Sequence, residues 1–484
     1  MYKHGVYCVL VILSFFYADV AFSQNSAMYF SPLSSDVYQN KISIYKARKI
    51  PVEYADKKNQ KTYAEIIKDR NDNLSEEFEN NELLYDTLLL NKCNFILNKI
   101  KTTNPAFKFD SINLFINRSH TANACCYGEG TLFVNLGLFL WIDNDEELAF
   151  VIAHEIAHQL LKHSESKIKQ NIALLSSENF KEEIKAIKKS SDSKYLQIKK
   201  LLKDLIVETG THSRYKESEA DSLGVILIQN AGYNVKAALP IILKLDFVDD
   251  LYSSKDFYSV QKLFEKSVTE DFSFTPRKKY NGLSGETVTM SAEADVDSIK
   301  THPDCIVRFK ALAANLNLGT QVNCCKVLDP SLKNIKERSL VELIRHEYEH
   351  GNLTICIHQC LFALQNGFSD PYFNYMISMS FSKMYEADLI FEKFNVTNTG
   401  AKPGSTLKAL QDFIFNLNRE NLLSAAKYFA NNNQNKTTEE YYFSTMMYKK
   451  AATLPDANAA ENAFKSKFPD SKYNYILNPT KKTK

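Results

Sequence analysis

The residues best placed to do chemistry are His154, Glu155 and His158, in the pattern His154-Glu155-Ile156-Ala157-His158. Histidines four apart stand one above the other on a helical face. Both imidazoles can then reach a single Zn²⁺. Glu155 projects about 100° round the same helix, where it can hold the metal's water and act as its general base. The flanking residues, Phe150 to Ala153 and Leu160-Leu161, are apolar and predict a buried helix. Two imidazoles and a carboxylate inside such a helix cost several kcal/mol unless something pairs them, and a metal ion would do so. A catalytic zinc needs a third protein ligand and an open fourth position. The best source is Ser213-Arg214-Tyr215-Lys216-Glu217-Ser218-Glu219-Ala220-Asp221-Ser222-Leu223-Gly224, where Glu217 and Asp221 share a face. One of these carboxylates can bind the metal. The other can accept the far N–H of a ligating histidine and fix its tautomer.

Several elements must position these groups. Asp143 to Glu147 offers two capping boxes, Asn144 with Glu147 and Asp143 with Glu146, and its acidic charge suits a helix N-terminus. Upstream, Leu83, Leu84, Leu88, Leu90, Phe95, Ile96 and Ile100 predict one amphipathic helix over Glu76 to Ile100. Ser111 to Asn117 alternates as a half-buried strand, His120 to Gly130 is a turn-rich link, and Thr131 to Asn135 is a second strand. Leu136 to Ile142 continues as an apolar helix. Ser164 to Leu205 is rich in Lys and Glu and predicts an exposed helical hairpin, with His163 beside it as a surface residue and not a ligand. Asp246 to Lys300, interrupted by Pro276, Gly282 and Gly285, is long enough for a lid and equally suits a plain surface insertion.

The chain has 484 residues, enough for two or three domains, and 44% are hydrophobic, ample for real cores. A formal net charge of +2 argues against nucleic acid as a main partner. Lys3, an apolar core over Val6 to Tyr17 and the small residues of Ala21-Phe22-Ser23 read as a secretory signal over 1–23, cleaved before Gln24. No later apolar run is long enough to span a membrane, so the mature chain is expected to be soluble and exported, periplasmic or secreted. The eight cysteines beyond the signal permit disulfides, including one between Cys356 and Cys360, one helical turn apart. From Leu328 the pattern is helical to the end, in pairs broken near Gly351-Asn352, Pro371, Pro403-Gly404 and Asn431 to Asn435. This arrangement is similar to tetratricopeptide (TPR) repeats.

Taken together, Thr131-Leu132-Phe133-Val134-Asn135, His154-Glu155-x-x-His158, Ser213-Arg214-x-x-Glu217-x-x-Ala220-Asp221 and Thr301-His302-Pro303 with Arg308 resemble the HtpX, Oma and CAAX prenyl protease type of zinc metallopeptidase, in matching order over roughly residues 80 to 315. The resemblance implies one Zn²⁺ per chain on His154, His158 and Glu217. It places Asp221, Arg308 and Arg214 behind the ligands, and His302 beside the metal as a transition-state stabiliser or a capping plug. The membrane helices of the HtpX and prenyl protease branches are absent, which turns the likeness toward an exported, soluble branch with C-terminal helical repeats.

The expected fold is α+β, mostly α: a zincin-like metallopeptidase domain with a small β-sheet, followed by an all-α TPR-like domain. The expected divisions are a signal peptide at 1–23, an N-terminal arm at 24–75, the peptidase at 76–327 with insertions at about 164–205 and 246–300, and the helical domain at 328–484. The strand containing Leu132, Phe133, Val134 and Asn135 is expected at the edge of the cleft, pairing with an extended substrate backbone. Two functions compete. One is an endopeptidase acting on extended or misfolded polypeptides, with the helical domain docking an envelope protein partner. The other is a chaperone-like binding module whose zinc site is latent or capped by His302.

Overall fold

A computed structural model describes residues 31–32, 35–79, 82–109, 112–127, 130–190, 193, 197, 214–248, 305–317, 329–365, 371–399, 406–432, 436–471 and 473. The signal segment, His302, Cys324, Cys325 and nearly all of the 246–300 insertion lie outside them.

Five short strands form one sheet: β1 (Ser31–Pro32), β2 (Leu83–Tyr85), β3 (Asn113–Asn117), β4 (Ala124–Cys126) and β5 (Thr131–Asn135). Their order is β1-β2-β3-β5-β4. The β3 and β5 strands run parallel, with Phe115 opposite Phe133, whereas β4 runs antiparallel to β5, with Cys125 opposite Phe133. Alternate side chains enter different cores, as the two-residue repeat of a strand requires. Leu84, Leu114, Ile116, Leu132 and Val134 join the main core with helices α3 (Thr87–Thr103) and α4 (Asp145–Leu160). Leu83, Phe115 and Phe133 enter a smaller cluster on the opposite face, with Ile42, Tyr45, Leu74 and Phe78 from α1 (Ser35–Lys46) and α2 (Lys57–Glu79).

That second layer alters two expectations. The strand over Ser111 to Asn117 is covered on both faces, because the N-terminal residues expected as a polar arm supply two helices that roof the sheet. The single helix expected over Glu76 to Ile100 is split: α2 stops at Glu79, β2 follows, and α3 starts after Asp86, whose carboxylate accepts the Leu89 N–H at 2.9 Å. The reason is periodicity. Leu83 and Leu84 serve opposite faces of the sheet, which a helix cannot arrange for adjacent residues. The link over His120 to Gly130 also contains a strand, β4. Leu136 to Leu140 forms a 3₁₀ helix.

Helices α5 (His163–Ser176) and α6 (Glu178–Lys189) follow the motif, and nearly all of residues 191–205, the rest of the expected hairpin, lie outside the described residues. The helix α7 (described over 214–230) carries the acidic pair, α8 (Ala238–Val248) follows it, and α9 (Cys305–Asn315) carries Arg308. Next comes α10 (Pro330–Glu349), which belongs to two cores. Its Leu332, Ile335 and Leu343 complete the main core, whereas Leu340, Val341, Ile344 and Tyr348 open a second one shared with the later helices. Those are α11 (Leu353–Gln365), α12 (Pro371–Leu389), α13 (Lys393–Thr397), α14 (Thr406–Asn416), α15 (Arg419–Asn431), α16 (Glu439–Ala451) and α17 (Ala457–Lys467). No helix among the described residues is long and apolar enough to cross a membrane. The six described cysteines are free thiols. Cys356 and Cys360 therefore pack as thiols in the second core and do not bridge.

At the start of α4 the carboxylate of Asp143 accepts from Lys244 and from Lys336, each at 2.7 Å, tying α8 and α10 to the site helix. Burial alone would raise the pKa of Asp143, but the two ammonium groups outweigh it and hold the carboxyl below its ordinary range. A depressed carboxylate stabilises the fold above its unfolded pKa, about 3.9, and loses that contribution as pH falls through the folded value. Asp143→Asn is expected to cost about 1–3 kcal/mol at pH 7. The difference from wild type should shrink as pH falls from 7 to below the ordinary carboxylate value of about 3.9, as measured by denaturant unfolding across that range.

Candidate active site

The N-terminus of α4 is capped as its acidic cluster suggests. Asn144 Oδ1 accepts the Glu147 N–H at 2.9 Å. Glu147 then reaches back one residue further than in a standard capping box, accepting the Asp143 N–H at 2.9 Å. From there the helix is buried on every side through Ala157. Its crossing partner α7 approaches closely because Gly224 faces the His154 backbone: a Cβ at Gly224 would lie 3.3 Å from His154 Cα.

This crossing brings His154, His158 and Glu217 together. His154 Nε2 and His158 Nε2 are 3.1 Å apart, and Glu217 places Oε2 3.4 Å from the first and Oε1 3.3 Å from the second. Ligand distances of about 2.0–2.1 Å in tetrahedral array imply ligand–ligand separations of about 3.3–3.4 Å. The three donors therefore already stand close to the spacing that zinc requires, and they form a group able to hold a metal ion. The surrounding charge favours a cation. Burial works against a proton on His154, but Asp221 and Glu217 outweigh it and raise its pKa to about 10. A metal ion would take the place of that proton.

Both ring orientations are fixed from behind. His154 Nδ1 lies 3.0 Å from Asp221 Oδ1, so its proton faces the carboxylate and Nε2 is left as a donor to metal. Arg308 grips Asp221 through two bonds, Nε to Oδ2 at 2.8 Å and Nη2 to Oδ1 at 2.6 Å, and its Nη1 stands 2.9 Å from Glu217 Oε2. Burial of Asp221 is overcome by Arg308 and His154, which lower its pKa to about 2. The expectation for His163 is overturned. It is 7% exposed, and its Nδ1 lies 2.8 Å from His158 Nδ1. Its Nε2 stands 3.4 Å from Glu219 Oε2. Burial, then the charge of His158, lower the pKa of His163 to about 4, so its ring is neutral. With its proton on Nε2 toward Glu219, His163 accepts the Nδ1–H of His158, which leaves His158 Nε2 free for metal. Sequence reasoning passed over His163 because it falls outside the i,i+4 face of α4. It reaches back only because Lys162 adopts a left-handed backbone, φ 55°, between α4 and α5.

Glu155 is 5% exposed, and its Oε2 accepts the backbone N–H of Cys126 at 3.1 Å. That bond corrects the expected edge. The β5 strand, with Leu132, Phe133, Val134 and Asn135, is paired on both sides, by β3 and β4. The strand beside α4 is β4. A narrow pocket bordered by Ala124, Phe150, His154, Glu155, Leu245 and Arg308 opens there. Arg214 stands one turn before Glu217, half-buried at the first described residue of α7.

Fold and site together define a His-Glu-x-x-His metallopeptidase domain whose third donor is a glutamate from a second helix. Residues 98–316 match the model of peptidase family M48. The mitochondrial metalloendopeptidase OMA1 of Arabidopsis thaliana is 28% identical over 125 residues, covering 25% of this chain and 23% of that protein. The beta-barrel assembly-enhancing protease of Yersinia pestis is 24% identical over 165 residues, 34% of each chain. The chain thus spans 23% and 34% of the length of these two curated relatives.

Two substitutions probe the supporting shell. Arg308→Met leaves two buried carboxylates without their cation and is expected to destabilise the protein by about 3–5 kcal/mol, read by chemical denaturation. His163→Ala should leave the fold intact and weaken zinc binding by about 10–100-fold, read by competition with a chromogenic chelator.

Proposed function

We propose that the chain is an exported zinc endopeptidase that hydrolyses peptide bonds in extended or misfolded polypeptides, with His154, His158 and Glu217 holding one zinc and Glu155 as general base. The observation that carries this reading is the placement of Glu155: a buried carboxylate beside the three donors, with one oxygen anchored to the edge strand. Bound zinc would supply Lewis acidity toward a carbonyl oxygen and a water of lowered pKa. Glu155 takes the proton of the attacking water and passes it to the leaving amine. Its bond to Cys126 N–H holds Oε2, and Oε1 is the oxygen proposed to take the proton. Asp221 and Arg308 keep His154 from rotating as charge moves during the reaction. His302, which the sequence places next in the constellation, is the proposed donor to the developing oxyanion.

The substrate would enter as an added strand on β4, running along Ala124 to Cys126 next to α4. Backbone pairing reads few side chains, so the reading implies broad sequence tolerance and a need for unfolded substrate. Export rests on the signal-like residues 1–23, and docking of an envelope partner is assigned to α11 to α17. The names of the two relatives, a metalloendopeptidase and a protease, support peptide hydrolysis.

The test is cleavage of an unfolded model protein by the zinc-loaded chain beside Glu155→Gln. Wild type should cleave, a chelator should stop it, and Glu155→Gln should be slower by at least about 100-fold while still binding zinc. Zinc binding without cleavage by wild type would favour the binding-module reading. No zinc at His154, His158 and Glu217 would refute the proposal.

A further inference from the structure

The pattern His-Glu-x-x-His occurs twice in this chain. Its second copy, His346-Glu347-Tyr348-Glu349-His350, lies at the C-terminal end of α10. Here too the two histidines share a helical face and a glutamate from another element meets them. Glu82, immediately before β2, places Oε2 2.8 Å from His346 Nε2 and Oε1 3.5 Å from His350 Nε2. One donor atom from each of the three side chains lies within 4.8 Å of the other two. The ring of His350 is held from behind, because its Nδ1 is 2.9 Å from the backbone carbonyl of His346. The proton therefore sits on Nδ1, and Nε2 is the atom left to bind. The two imidazole rings stand 4.1 Å apart between centroids, so a small ion between their Nε2 atoms and Glu82 draws the groups together by side-chain motion alone.

We infer that Glu82, His346 and His350 form a second site for zinc or a similar borderline divalent cation, one that clasps α10 to the sheet. Imidazole and carboxylate donors select that class of ion. The site opens to solvent: the side chains of His346, Glu82 and His350 are 14%, 23% and 39% exposed. An ion can enter directly, and water can fill its remaining positions.

The second site is structural, and the fate of its inner glutamate shows why. Glu347, the counterpart of Glu155, is 3% exposed and fully engaged. Its Oε1 is 3.1 Å from His120 Nδ1, and its Oε2 accepts from Asn352 Nδ2 at 2.8 Å. Both of its oxygens are thus already held by neighbouring side chains. The ion would instead tie Glu82, the residue that leads into the sheet, to the helix shared by both cores. Neighbouring contacts follow the same seam: Arg118 N–H donates to the Glu82 carbonyl at 2.8 Å, and the Arg118 side chain stands 3.1 Å from Glu342 of α10.

The test is zinc stoichiometry on the full chain, after chelator stripping and reloading with free zinc buffered in the micromolar range. Wild type should hold two zinc ions. His350→Asn, at an exposed position that puts folding at little risk, should hold one and keep proteolysis of an unfolded substrate. Glu82→Gln should likewise hold one. A His154→Ala/His158→Ala variant should also hold one, and zinc should still raise its thermal midpoint and slow hydrogen exchange at residues 83–85 and 346–352. This arm is independent of the peptidase reading. One zinc in wild type and in His350→Asn, with none in His154→Ala/His158→Ala, would overturn the proposal. So would a wild-type count of two that His350→Asn and Glu82→Gln leave unchanged.

Discussion

The architecture around α4 depends on how buried charge is balanced where α4 crosses α7. Glu155, Glu217 and Asp221 all lie in a region almost without solvent, with Arg308 as the neighbouring guanidinium. Carboxylates at such density are tolerated only when paired. The pairing requires α9 to deliver Arg308, α7 to lie near enough to α4 for Asp221 to touch His154, and Gly224 to leave room for that approach. The apolar residues of these helices then complete the core. Packing makes the crossing stable, and the charge balance fixes its register.

Much of this was legible in the sequence because it rests on local spacing. His154, Glu155 and His158 follow from helical geometry, as does the pairing of Glu217 with Asp221. The structure sets Glu217 against the Nε2 atoms of both histidines and Asp221 behind His154 Nδ1. What stayed hidden depends on chain reversals and on lateral order in the sheet. His163 returns to His158 through a left-handed residue that no periodic pattern announces. The β4 strand is only three residues long and sits in a stretch that reads as turns. Strand alternation identified β5 but carried no information about its neighbours, so its interior position was not foreseeable. The split of the helix expected over Glu76 to Ile100 has a similar origin, since Leu83 and Leu84 fit either repeat until the sheet is known.

The two His-Glu-x-x-His segments show how surroundings decide what a pattern means. In α4 the glutamate is anchored by a single backbone N–H and borders a pocket. In α10 the equivalent glutamate is held by His120 and Asn352, and the histidines lie toward solvent. The same His-Glu-x-x-His pattern thus borders a pocket on an apolar helix in one case and faces solvent on a half-polar helix in the other. The distinction lies in where the remaining lone pairs of the carboxylate are directed, which spacing alone does not encode.

The sharing of α10 between two cores has a mechanical consequence. A helix whose successive turns are buried in different clusters cannot leave one without disturbing the other. The parts of the chain before and after it are therefore coupled as two plates riveted to one beam. Lys336 of the same helix reaches Asp143 at the root of the motif helix, so a displacement of α10 is felt there. Packing and one ion pair thus join the later helices to the helix that carries the site.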